Sequence, residues 1–294
     1  MNVRVLATLA GRNLRLYFRD RLSVFFSLLQ ALILFVLYVL FLANLQVQGI
    51  EGAAPQLDDH AVHGFVDTWM FAGIIAVTTM TTPLSALATI VDDRAAGRFK
   101  DFLVSPIRRA ELVAGYLLAG VVVGLVMTLL VEFVGLLYLW LADGLTLPFG
   151  DIAATFGWAA LSVLVYAAIW SFLLAFLRSP GAVGGLVGGL GTVLAFAAGA
   201  YIAVGLFPDA VRHALSALPF AQAAMLIRAP FVSGPLDTLV GGNADLTALL
   251  DQQYGVTLSV GDWDVPDWFA ATELVVVVVV FLALAVWRIR RLIR

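Results

Sequence analysis

The chain has 294 residues, 62% of them hydrophobic and only 13% charged. Soluble domains carry roughly 25% charged residues, so an ordinary soluble fold is excluded, as are disordered, collagen-like and coiled-coil chains, and lipid must be the main solvent. No cysteine is present, which removes disulfides, thiolate metal sites and cysteine nucleophiles, and the net charge of −3 hides signs that are segregated along the chain.

Residues 1–21 come first. At 100° per residue, Arg4, Thr8, Arg12, Arg15 and Arg19 share one arc, with Val5, Leu6, Leu9, Leu14, Leu16 and Tyr17 largely opposite. That pattern predicts an interfacial helix with its arginines toward anionic headgroups or a cytoplasmic partner, or acting only as a topology anchor. Six apolar runs then predict membrane-spanning helices: Leu22–Leu45, Gly64–Val91, Leu112–Leu141, Ile152–Leu177, Ala182–Phe207 and Trp268–Trp287. The first is too long, and lacks the small-residue cleavage site, to be a signal peptide. None alternates with period two, so helices are expected rather than a barrel, even through the valine run Val275–Val280.

Fifteen of the seventeen basic residues flank these runs on one side; only Arg212 and Arg228 fall on the other. The asymmetry predicts a multi-pass protein of the cell membrane with both termini cytoplasmic. Segment 208–267 is then external. It is acidic, and its prolines argue against a seventh span, predicting short re-entrant or surface helices near 209–217 and 219–229 and a polar cap after them. The whole chain, 1–294, reads as one transmembrane domain of all-α class.

The connection 92–111 holds the apolar group Phe99, Phe102, Leu103, Val104 and Ile107 among charges, broken by Ser105-Pro106. An apolar knob ringed by charge fits either a groove on a partner or packing against the inner ends of the spans. Gly97, Leu103-Val104-Ser105-Pro106, Arg108-Arg109 and Glu111-Leu112 stand in the order found in the cytoplasmic loop of the ABC-2 family of ATP-binding-cassette permeases, which this segment resembles. The family often has Gly-Lys where this chain has Gly115-Tyr116, a departure that bears on helix anchoring. Leu218-Pro219, running on to Arg228, resembles the family's external segment. The resemblance implies two permease chains working with two separate ATPase subunits. Gly97, Phe99, Phe102, Leu103, Val104, Ser105, Pro106, Arg108 and Arg109 would be the element that docks in the ATPase. ATP and Mg would belong to that partner. The chain itself carries one lysine, Lys100, and no phosphate-binding loop, so no cofactor is expected here.

Glu132, deep in the third span, and Glu273 are candidate substrate-pathway residues, Glu132 also as a proton-linked group; hydrogen bonding within the bundle is the alternative. Glu273 lies nearer the surface and Asp67 nearer still, and interfacial solvation is the favoured reading for both. Gly184, Gly185, Gly188 and Gly189 have small-xxx-small spacing, which serves packing inside one protomer or a dimer or gate surface. Asp58, Asp59, His60 and His63 lack the fixed geometry of a metal site, and none is expected. Asp262, Asp264 and Asp267 beside Trp263 and Trp268 read as a membrane-edge loop.

The expected function is the permease of an ATP-driven exporter of an amphipathic drug, lipid, glycan or peptide. The alternative is an ion-coupled transporter or channel using Glu132. Neither a nucleophile–histidine pair for an intramembrane enzyme nor a basic patch for nucleic acid is present.

Overall fold

The structure is a computed structural model and describes residues 2–98 and 107–292. It is an all-α polytopic membrane protein: six helices among the described residues are long and apolar enough to cross a bilayer. Helix α1 is Val3–Arg19. Asp20 ends it in an extended conformation and at once caps the next helix, accepting from the N–H groups of Leu22 and Ser23. One carboxylate thus makes the corner between the amphipathic segment and the first span.

That span is α2, Arg21–Leu37, continued through a π-helical turn at Tyr38–Leu42 into α3, Ala43–Ala53. The second is α4, Asp59–Leu87, followed by the short α5, Thr89–Ala95. Helices α6 (Arg109–Ala142), α7 (Phe149–Leu174) and α8 (Pro180–Ala197) follow. Then come α9 (Asp209–Ser216), α10 (Pro219–Val240) and α11 (Ala244–Tyr254). A two-residue-per-strand hairpin, β1 Ser259–Val260 with β2 Trp263–Asp264, leads into α12, Asp267–Leu292.

Helix α4 is the axis of the bundle, with 83% of its most apolar window buried, and α2, α6, α7 and α10 pack around it. Its hydroxyls would be costly there if unpaired. Thr68, Thr78, Thr81 and Thr82 each donate to the carbonyl four residues back, and Thr79 to the one three back. Helix α6 reaches α4 and α7 through glycines. A Cβ at Gly124 would stand 2.7 Å from Val163 and 2.9 Å from Pro83, and one at Gly135 would stand 2.7 Å from Phe71.

Two expectations need correction. The fifth apolar run extends to Phe207, but α8 ends at Ala197; Gly199 (φ +64°) turns the chain, and a 3-10 turn, Val204–Leu206, follows. The second concerns 219–229, expected as a short helix. Helix α10 instead runs on through Pro230 and Pro235 to Val240, largely buried against α4, α7 and α12, and bends 82° from α9. Prolines were read as stops, yet packing on three sides holds the helix through them.

Candidate functional site

Three places gather the polar chemistry of the described residues. The first lies where α5 meets α1 and α6. Asp93 is 1% exposed in its side chain and receives donors from three elements. Arg12 of α1 grips it with two prongs, Nη1 to Oδ2 at 2.7 Å and Nη2 to Oδ1 at 3.0 Å. Arg98 donates to Oδ1 at 2.6 Å, and the Tyr116 hydroxyl of α6 donates to Oδ2. This charge-assisted bonding is strong enough to hold a carboxylate out of water, and Asp93 in turn raises the pKa of Arg12.

The next residue, Arg94, points the other way. It donates to the carbonyls of Ala175 and Leu177 at 3.3 and 3.2 Å, just beyond the C-terminus of α7, where a cation also complements the helix dipole. Glu111, in the first turn of α6, accepts from the Asn2 N–H at 2.7 Å and from the Arg108 N–H at 3.1 Å. So residues 93, 94 and 111 tie α1, α6 and α7 together. Gly97 follows α5 with φ +74°, a left-handed turn that glycine adopts readily, and Arg108 caps α6. Phe99, Phe102, Leu103, Val104, Ser105 and Pro106 lie outside the described residues.

Sequence reasoning had the pieces of this node without the node. Asp93 stood in the loop motif, Arg12 in the amphipathic face and Tyr116 as a departure from the family pattern. The signal was the pairing of an acidic residue at a span end with arginine on a preceding interfacial helix.

The second place is the seam between α6 and α7. Glu132 is 2% exposed, and both its carboxyl oxygens lack a hydrogen-bond partner. The helices are antiparallel, and the contact of Gly124 with Val163 sets their register. Eight residues along, that register brings Glu132 level with Thr155. Thr128 and Thr155 are fully buried, and their hydroxyls are also unpartnered, unlike the α4 threonines. Glu273 is half-buried on α12 and faces Gln222 of α10. It does not join Glu132 in one site.

The third place is the opposite end of the bundle from α1. Arg228 of α10 is 1% exposed and donates from Nη2 to the carbonyls of Ala198 and Gly199, both at 2.7 Å, which closes the C-terminus of α8. Its guanidinium carbon lies 5.7 Å from the ring centre of Trp69. The Trp69 indole donates to the Tyr254 carbonyl at 2.8 Å, and the Tyr254 hydroxyl donates to Gln46 at 3.2 Å. This buried knot joins α3, α4, α8, α10 and α11. The motif around Arg228 was legible; its partners, far away in sequence, were not.

Gly184, Gly185, Gly188 and Gly189 lie exposed along α8. A Cβ on any of them would meet nothing within 4 Å. The contact on this helix is made instead by Gly191, where a Cβ would stand 2.5 Å from the Gln30 side-chain oxygen. Beside that face runs a groove between α2, α4 and α8 of about 330 Å³, lined by Ser27, Gln30, Thr81, Ser85 and Thr192 among others. The Gln30 amide nitrogen is buried there without a partner. Among the described residues no group of three or more His, Asp or Glu side chains has the geometry to hold a metal ion.

The chain is thus a polytopic membrane protein with six candidate spans, an amphipathic lead-in helix and an ionic node beside the connection between its second and third spans. The chain matches the family model described as ABC-2 family transporter protein over residues 42–287, most of its length, and it belongs to that family. It is therefore the membrane subunit of an ATP-binding-cassette transporter, a class that works with an ABC ATPase. No individual curated protein matches the chain.

Proposed function

We propose that the chain is the permease of an exporter in a cell membrane, with both termini cytoplasmic, and that it moves an amphipathic compound outward. The arginine distribution supports this orientation. A partner ATPase supplies ATP, Mg and hydrolysis. A second permease chain, identical or related, completes the pathway. The open glycine face of α8 and the adjoining polar groove support its seat there, because small residues let helices approach and the unpartnered Gln30 amide would gain a partner.

One observation carries the coupling reading: the apolar stretch 99–107 follows directly on the Asp93–Arg94 node that ties α1, α6 and α7. Phe102, Leu103 and Val104 insert into a groove on the ATPase, with Lys100, Asp101, Arg108 and Arg109 at its rim. When the ATPase closes on ATP it moves this segment, and the node passes the movement to three helices together. Burying one large apolar side chain contributes roughly 1.5–3 kcal/mol, so Phe102→Asp or Leu103→Asp weakens ATPase binding or uncouples hydrolysis from export. Co-purification and substrate-stimulated ATP hydrolysis, at equal expression, measure both effects. Full association and full coupling in both variants would remove residues 92–111 from the transmission path.

A further inference from the structure

A second groove opens on the lipid-facing side of the bundle, between α2, α4 and α6. It measures about 270 Å³, and Leu28, Phe35, Phe71, Leu130, Val134 and Tyr138 are among its lining residues. The lining is almost wholly carbon. From Leu130 to Tyr138 is eight helical positions, or about 12 Å of groove at the α-helical rise. Phe35, Phe71 and Tyr138 pack their rings together at one end, with centroids 5.2 to 5.8 Å apart. Several lining residues are half in lipid: Leu130 is 47% and Val134 50% exposed.

At that aromatic end the chemistry changes abruptly. The Tyr138 hydroxyl faces the carboxyl of Asp67, one turn above Phe71 on α4, and Asp67 is hydrogen-bonded to Asp143 just beyond the end of α6. The Asp143 Oδ2 atom is buried without a hydrogen-bond partner. Burial raises the pKa of Asp143 above the usual carboxyl value, and His60 and His63 oppose that rise from the start of α4. No arginine is bonded to either carboxyl among the described residues. The apolar groove therefore ends, at Tyr138, beside two acidic groups that no arginine among the described residues holds.

We propose that this groove binds a single-chain amphiphile with an ammonium head, its tail along Leu28, Leu130 and Val134 and its head against the Asp67–Asp143 pair. The apolar lining and the volume of about 270 Å³ suit a hydrocarbon tail. The two carboxyls select a cation, and they repel a phosphate, which sets a diacyl phospholipid apart from the proposed occupant. The proposal rests on the exporter reading for its purpose, since it names the substrate class. Its test is binding alone and needs neither ATP nor a partner.

The full chain is placed in phosphatidylcholine nanodiscs, and three spin-labelled probes are added: a single-chain alkyl amine, an alkyl alcohol of equal length, and the diacyl phosphatidylethanolamine. The motionally restricted fraction of each is read by electron paramagnetic resonance. The wild type should hold the amine at least several-fold better than the alcohol or the phospholipid. The double variant Asp67→Asn with Asp143→Asn should bring the amine down to the level of the alcohol while keeping the tail bound. Val134→Trp fills the groove and should release amine and alcohol alike. Equal restriction of amine and alcohol in the wild type overturns the proposal, as does a preference for the phospholipid, or an amine preference that survives the double variant. A control on α12, Val279→Trp, faces lipid away from the groove and should leave the pattern unchanged. Failure here leaves ATPase coupling untouched, and loss of coupling in Phe102→Asp leaves this binding untouched, so the two readings fail separately.

Discussion

Arg12 and Asp93 stand 81 positions apart in the chain and meet in a two-pronged ion pair, with bonds of 2.7 and 3.0 Å. The geometry matters because the two partners are unequal: the Arg12 side chain is 31% exposed, whereas Asp93 is 1% exposed. Arginine can turn to water if the pair breaks; Asp93 cannot.

That asymmetry orders three variants. Arg12→Lys keeps the charge and loses the fork. Arg12→Ala leaves Asp93 with Arg98 and Tyr116, and should cost about 1.5–3 kcal/mol, the usual worth of a charged hydrogen bond. Asp93→Ala removes the shared acceptor of three donors and should cost the most. Unfolding midpoints in detergent should therefore fall in the order wild type, Arg12→Lys, Arg12→Ala, Asp93→Ala. An unchanged midpoint for Asp93→Ala would show that the node is not a structural tie.

The open face of α8 gives a prediction about assembly. Gly184→Leu and Gly188→Leu meet empty space within the chain, so the protomer should fold and insert normally. If a second permease chain seats on that face, each leucine props the helices apart and the two-chain species is lost. Mass measurement of the purified complex distinguishes the outcomes. A two-chain complex of wild-type abundance in both variants places the partner elsewhere.

The spans, the amphipathic first helix and the family motifs were legible because lipid imposes a strong rule. Every backbone group must be satisfied within a helix, and long apolar runs reveal where that happens. Helix α10 was not legible in full, since Pro230 and Pro235 argue locally against what tertiary packing supports. The open glycines of α8 were ambiguous for a different reason. Small-xxx-small spacing says that two helices can approach; it does not say whether the second helix belongs to the same chain. The Asp93 node joins residues 12, 93, 98 and 116, and no local pattern connects them.

Glu132 has no hydrogen-bond partner, and the buried hydroxyls of Thr128, one turn before it on α6, and of Thr155 on α7 are unpaired as well. A buried carboxyl without a partner is costly to keep for packing alone. If the group works in the transport path, Glu132→Gln keeps the shape and removes the exchangeable proton, so transport or its pH dependence should change while insertion and assembly hold. Glu132→Leu should raise stability, since it exchanges an unsatisfied polar group for an apolar one of similar size. Transport in reconstituted vesicles across a range of pH, with unfolding midpoints alongside, tests both statements. Transport identical to wild type at every pH in Glu132→Gln would assign the residue to packing alone.

Arg228 poses the contrary case, a buried charge whose work is structural. Its Nη2 atom holds the Ala198 and Gly199 carbonyls where α8 stops, and its plane lies toward Trp69, while Nε has no partner. A helix end buried without donors is unfavourable, so the arginine completes α8 from a different helix. Arg228→Ala leaves both carbonyls unpaired and opens a void beneath Gly199 and Gly255, where an added Cβ would stand 3.5 and 3.1 Å from Nη1. The expected loss is about 3 kcal/mol or more, from two charge-assisted bonds. Arg228→Lys reaches at best one carbonyl and loses the planar contact with the indole, so its midpoint should fall between the two. Limited proteolysis in the 199–207 turn should quicken in the same order, because that turn is held at one end by this side chain. If Arg228→Ala instead keeps the wild-type midpoint and proteolysis rate but loses transport, the residue acts on substrate and not on the end of α8.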